Sequence, residues 1–158
     1  MKVLITGVAG FIGFSIAKNL LEKNFKVIGV DNINNYYSQN LKKERVKQLR
    51  KYKNFLFLKK NCADKNFINL ILKNKKISMV IHLAAEVGVR NSFSKPRTYY
   101  ENNIEAFFNI LEICKMMKSN LIFASSSSVY GESKKKFFKE TDETSKPISF
   151  YAATKKSN

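Results

Sequence analysis

Cysteine occurs only twice, at Cys62 and Cys114, too far apart and too isolated for a metal knuckle or a thiol-redox motif. Two lone thiols suit buried packing positions in a reducing compartment, so a cytoplasmic protein without bound metal is expected. Histidine occurs once: His82 sits in an apolar run, where a hydrogen-bonded core role is expected rather than that of a catalytic base. No run is long and apolar enough to span a bilayer, and the opening MKVLITG is too short before its glycine to be a secretion signal. No internal repeat or linker interrupts the 158 residues, one domain's worth of chain.

Acidic residues are also scarce. Twelve stand against 29 Lys and Arg, a formal charge of +17 that would suit a nucleic-acid or anionic-membrane partner. The lysines are spread out, however, with small groups at Lys42-Lys43, Lys75-Lys76 and Lys134-Lys135-Lys136. No aromatic-interleaved RNA motif or Cys/His finger accompanies them. They read as a lysine-rich composition, and neither nucleic acid nor membrane is the expected partner.

What is present is an alternation of short apolar runs and helical patterns. Strands are predicted over 2–6, 26–30, 55–58, 78–83 and 121–124. Between them lie helices over 11–23, over 41–53 (a basic helix whose lysines are expected to be a solvated face), and around Phe67, Ile68 and Ile71, with Asp64 as its expected cap. A long helix begins near Pro96, with Tyr100, Asn103, Phe107, Ile110, Leu111 and Cys114 on one face, and a last helix begins near Ser149. Such alternation predicts an α/β, doubly wound parallel sheet of Rossmann type. A complete sheet of this kind commonly has six strands, so the five predicted here make residues 1–158 an incomplete dinucleotide-binding domain.

TGVAGFIG, residues 6–13, joins the first strand to the first helix. Gly7 permits the tight turn, Gly10 leaves room for a phosphate, and Gly13 lets the helix pack closely, while the helix N-terminus offers free N–H groups. Asp31, ending the second strand, is placed to accept the hydroxyls of an adenosine ribose, which favours NAD over NADP. The fifth strand runs into Ser125-Ser126-Ser127-Ser128-Val129-Tyr130-Gly131, at the carboxyl edge where parallel sheets bind ligands.

Two Tyr-x-x-x-Lys matches occur, where about one is expected by chance from seven tyrosines among so many lysines. Tyr130/Lys134 spans a glycine in a loop, whereas Tyr151/Lys155 lies in helix-prone YAATKK and shares one face. A phenol is a poor base at neutral pH unless nearby positive charge stabilises the phenolate. Tyr151/Lys155 is therefore the pair chosen.

These segments, together with GVDNINNYY, HLAAEVGVR and ASSSSVYG, resemble the extended short-chain dehydrogenase/reductase family of NAD-dependent epimerases and dehydratases. Among them the chain is most similar to the UDP-glucuronate 4-epimerases, along its whole length. The resemblance implies a strand order of 3-2-1-4-5 and an absent carboxyl-terminal substrate domain. It implies NAD contacts from Gly7, Gly10, Phe11, Ile12, Gly13, Asp31, Asn32, Asp64, Leu83, Ala84, Ala85, Asn103, Tyr151 and Lys155. It makes Tyr151 the base, Lys155 its tuner and Ser126 the hydroxyl partner. Ser126, Ser127, Ser128 and Arg90 would meet a UDP-sugar, although Arg90 fits a plain surface residue equally well.

Ser127-Ser128 stands where the 4,6-dehydratases carry Asp-Glu and the decarboxylases a glutamate, which favours epimerisation through transient oxidation at C4. Asn61, Glu86, Asn91 and Glu105-Ala106 depart from the usual residues; Glu86, in place of a glutamine, adds a negative charge awkward for a uronate. A homodimer is possible for the full-length form. The alternatives are a fragment that binds dinucleotide without catalysis, another sugar-nucleotide enzyme such as a UDP-glucose 4-epimerase or a dehydratase, and, less well supported, a basic nucleic-acid-binding protein. With so few residues beyond Tyr151, the last helix is expected to fray.

Overall fold

The structure, a computed structural model, describes residues 1–74, 76–133 and 135–158. Lys75 and Lys134 lie outside the described residues, and with them parts of two lysine groups and the partner of Tyr130.

Five parallel strands form one sheet in the order β3-β2-β1-β4-β5, as the resemblance implied. They are β1 (Lys2–Thr6), β2 (Lys26–Asp31), β3 (Phe55–Lys59), β4 (Met79–His82) and β5 (Asn120–Phe123). The two-residue period of a strand divides the core. Val3, Ile5, Val27 and Ile81 face a layer with α1 (Phe11–Glu22) and α2 (Gln39–Leu49), which add Ala17, Leu21 and Leu49. Leu4, Ile28, Val30 and Val80 face the other layer, with α3 (Phe67–Leu72) and α6 (Ala106–Met117), which add Phe67, Ile71, Ile110 and Ile113. Burial on both faces is why the central strands read as continuous apolar runs. β5 lies at the sheet margin, with Ile122 and Phe123 exposed.

Several boundaries differ from expectation. α3 is capped by position Asn66, not Asp64, and Asp64 contributes only its backbone carbonyl, which accepts from Phe67 N at 2.9 Å. The short α4 (Val89–Ser94) was not foreseen, since its sequence carries no apolar period. The long helix starts at Pro96 as expected, but is interrupted: α5 (Pro96–Tyr99) passes through wide π turns over Tyr100–Glu105 into α6. The wider turns shift the buried stripe. Tyr99 is buried in place of Tyr100, and Ile113 in place of Leu111, while Asn103, Phe107, Ile110 and Cys114 face inward as predicted. α7 (Phe150–Ser157) closes the chain, with Ser149 Oγ accepting from Ala152 N at 3.0 Å as its N-cap.

Candidate functional site

All five strands end on the same side, and a cavity of about 420 Å³ opens at the ends of β1, β2 and β4. Gly7, Gly10 and Phe11 form one wall, Asp31, Asn32 and the loop to α2 a second, and Leu83 to Val87 a third.

The glycine wall is built by close approach. Gly7 has φ +68°, and a Cβ there would lie 2.8 Å from Ala84 N, so only glycine fits beside the β4 loop. A Cβ on Gly13 would lie 2.2 Å from Gly7 O, which shows that its absence seats the first turn of α1 against the bend. α1 starts at Gly10 with no side-chain cap, which leaves the N–H groups of its first turn without a competing acceptor. Phe11 and Ile12 are exposed beside it.

Asp31 is buried, and both its oxygens are engaged: Oδ2 accepts from Ala9 N at 3.0 Å and Oδ1 from Ile33 N at 2.9 Å. The Ala9 carbonyl in turn accepts from Tyr37 Oη at 3.2 Å and from Arg45 Nη1 at 3.1 Å. The bend is thus clamped through one peptide unit on each side of Ala9. Asn32 lines the cavity and accepts from Asn34 N at 3.0 Å.

Lys43, Lys47, Lys51 and Lys53 are exposed, as expected of a solvated basic face, and Lys42 is the exception. Lys42 is only 5% exposed, on the inward stripe with Val46 and Leu49, and its Nζ bonds Asn34 O at 3.2 Å and Asn34 Oδ1. Burial lowers its pKa, against the attraction of Asp31 and Glu86. Lys42, Arg45, Tyr36, Tyr37 and Lys60 also line the cavity, and the sequence pattern singled out none of them for it; Asn61, where the resemblance allows an amide contact to adenine, lines it too. The signal for Lys42 was its spacing, four and seven positions before Val46 and Leu49.

Asp64 is exposed and does not line this cavity; Asn61 and Cys62 stand there instead. Arg90, on α4, is exposed and also lies away from it. Leu83, Ala84 and Ala85 line it. The Leu83 and Ala84 N–H groups donate to Thr6 Oγ1 at 3.1 and 3.2 Å, and the Thr6 hydroxyl therefore donates to His82 Nδ1, 2.7 Å away. Burial, assisted by Lys155, pushes His82 down to a pKa of about 3, so it is a neutral core acceptor. Glu86 also faces the cavity; burial raises its pKa, opposed by Lys42 and Lys95.

Asn103 joins this cavity to α7. Its Oδ1 accepts from Glu86 N at 2.7 Å, and its Nδ2 donates to Glu86 O and to Thr154 Oγ1, both at 3.0 Å. Both amide hydrogens are therefore committed to protein. α7 does not fray as expected: Lys155 Nζ donates to Ala124 O at 3.0 Å, Asn158 Nδ2 to Asn103 O at 3.0 Å, and Ala152 and Thr154 are buried. Tertiary contacts hold this eight-residue helix, which would be marginal in isolation. Burial lowers the Lys155 pKa. The Tyr151 ring meets buried Tyr99 edge-on at 6.1 Å. α7 packs on a 3₁₀ turn, Ser127–Tyr130, begun by Ser126. Ser126 Oγ accepts from Ser128 N at 3.2 Å and Ser128 Oγ at 2.9 Å, which leaves its own proton free to donate, while Ser127 is exposed.

The sequence matches the family model described as GDP-mannose 4,6 dehydratase over residues 4–158. The chain belongs to that family. Within the GDP-mannose 4,6-dehydratase family it is 48% identical to Protein CapI of Staphylococcus aureus, over all of this chain and 47% of that protein. It is 40% identical to UDP-glucuronate 4-epimerase 4 of Arabidopsis thaliana, over 99% of this chain and 36% of that one. Among solved structures, the UDP-glucuronic acid 4-epimerase of Bacillus cereus, in complex with UDP-glucuronic acid and NAD, superposes with a TM-score of 0.88 at 34% identity. That match covers 99% of this chain and 49% of the other. The chain thus spans about half the length of these family members or less. Among the described residues, no helix is long and apolar enough to cross a membrane.

Proposed function

We propose that this chain is the cofactor-binding part of an NAD-dependent UDP-sugar 4-epimerase, with UDP-glucuronate as its substrate. The observation that carries the reading is Asn103, which ties the Glu86 segment of the cavity to the helix that bears Tyr151 and Lys155. The residues present fit a dinucleotide. The side-chain-free bend at Gly7 and Gly10 and the uncapped start of α1 suit a pyrophosphate held by Phe11, Ile12 and Gly13 N–H groups. Asp31 retains lone pairs beside Asn32 for an adenosine ribose. Bound there, NAD supplies the hydride acceptor and donor at C4 of the sugar.

The chain's own side chains then manage the proton and the orientation. Tyr151 takes the C4 hydroxyl proton and later returns it. Lys155, held against Ala124 O at the end of β5, supplies positive charge to that phenolate and a donor for the nicotinamide ribose. Ser126 donates its free proton toward the same sugar oxygen. Ser127 and Ser128 offer hydroxyls rather than an acid–base pair, which supports epimerisation over loss of water although the family model is named for dehydratases. Leu83, Ala84 and Ala85 shape the wall along the phosphates, and Arg90 and Asp64, exposed here, take the sugar-nucleotide and adenine roles only on the strength of the resemblance.

Calorimetry of the 158-residue chain with NAD⁺ tests the cofactor reading. An assay with UDP-glucuronate tests the reaction, with the chain continued to the length of its relatives. Tyr151→Phe should retain NAD and lose nearly all turnover; undiminished turnover rejects the assignment.

A further inference from the structure

Residues 32–38 run from the end of β2 to the start of α2, along the rim of the cavity. Most of their hydrogen bonds hold them to their own side. Ile33 N donates to Asp31 Oδ1, Ile33 O accepts from Gln39 Nε2 at 3.1 Å, and Asn34 O accepts from Lys42 Nζ. Tyr37 Oη reaches back to Ala9 O in the glycine bend. Successive Asx turns at Asn32 and Asn34 give the segment a shape of its own. Of these bonds only one crosses the cavity: Tyr36 Oη donates to Val87 O at 3.2 Å, on the β4 side.

The two ends of that bond differ in firmness. Val87 O lies 2.6 Å from the hydroxyl of Tyr99, which is 1% exposed and also 2.7 Å from Gly88 O, so the landing point is fixed from beneath. Gly88, at φ +95°, leaves room above it: even a Cβ there would approach Tyr36 Oη only to 3.4 Å. Tyr36 itself is 43% exposed. A rigid receiver, a base tied by several bonds and a tip tied by one exposed bond are the parts of a latch.

We propose that residues 32–38 form a strap over the dinucleotide cavity and that the Tyr36–Val87 hydrogen bond is its latch, which must open for NAD to enter or leave. This rests on the reading of the cavity as the NAD site. Tyr36 is then a positioning residue that sets cofactor exchange and touches no reacting atom. Both partners of the latch belong to the protein, and the proposal has the bond made with the cofactor bound as well as without it. Its loss therefore raises the open fraction of both states alike, so association and dissociation both quicken while their ratio stays nearly constant.

The test is stopped-flow fluorescence of NADH binding to the 158-residue chain, with displacement by excess NAD⁺, for the unaltered chain and Tyr36→Phe. Tyr52→Phe, which removes an exposed phenol bond to Glu22 away from the cavity, is the control. Loss of one such hydrogen bond should raise both rates by between about two- and tenfold. Kd should move less than twofold, and Tyr52→Phe should change neither rate. A faster dissociation with unchanged association would make Tyr36 an ordinary ligand contact and overturn the latch, as would unchanged rates. Failure of the unaltered, folded chain to bind NADH at all would remove the cofactor reading itself, and the latch with it. Circular dichroism of each variant separates a change in rate from loss of fold.

Discussion

Asn103 grips the backbone of Glu86 from both directions, accepting its N–H at 2.7 Å and donating to its carbonyl at 3.0 Å. A two-point grip of this kind fixes a peptide's position and orientation at once. Because the same amide also donates to Thr154, one residue sets the distance between the cavity wall and α7.

Replacing Asn103 by alanine should therefore act on two places together. Three protein hydrogen bonds are lost in a site that is 1% exposed, so a destabilisation of about 2 to 4 kcal/mol is expected. Hydrogen exchange should show faster opening of α7 as well as of the Glu86 segment. Faster exchange at Glu86 alone would mean that Lys155 and Asn158 suffice to hold the helix.

Asp31 carries a structural duty alongside the proposed ribose contact. Asp31→Ala leaves the N–H groups of Ala9 and Ile33 without their acceptor. An expected loss of about 2 kcal/mol or more in thermal or urea unfolding should accompany a fall of at least tenfold in NAD⁺ affinity by calorimetry. An altered affinity with an unchanged melt would mean that the bend keeps its shape without the carboxylate.

His82 gives the fold a defined acid sensitivity. Its folded pKa of about 3 lies below its unfolded value of 6.5, so between those limits the unfolded chain binds the extra proton. Stability contributed by the neutral ring is complete above pH 6.5 and drains away as pH falls toward 3, by about 3 to 5 kcal/mol in all. In His82→Gln, whose amide oxygen can still accept from Thr6, urea midpoints at pH 7 and pH 4 should lie closer together than in the unaltered chain. Equal differences in the two proteins would assign the acid loss to carboxylates.

The sheet was legible because its central strands β1, β2 and β4 are apolar runs buried on both faces, and the first two stop at a glycine or a polar turn. The same logic made Gly7, Asp31 and His82 readable, each at the end of an apolar run. Lys42 was not, because a lysine in a basic helix looks solvated unless its phase with Val46 and Leu49 is followed. Asp64 was misread as a cap because its carboxylate precedes an apolar run; the helix begins later, after Asn66. The firmness of α7 was invisible too, since its anchors come from Asn103 and Ala124, far upstream in the chain.

The π turns at Tyr100–Glu105 amount to one residue more than an ordinary helix of that height would hold. Excising that residue would let the coil close into regular turns, an apparent gain in regularity. It would also swing Tyr99, and everything before it, by about 100° relative to Ala106. Tyr99 and Asn103 could then no longer look toward the same neighbours. The irregularity is thus protected from loss: a lineage that acquired it can shed it only by rebuilding both walls it connects.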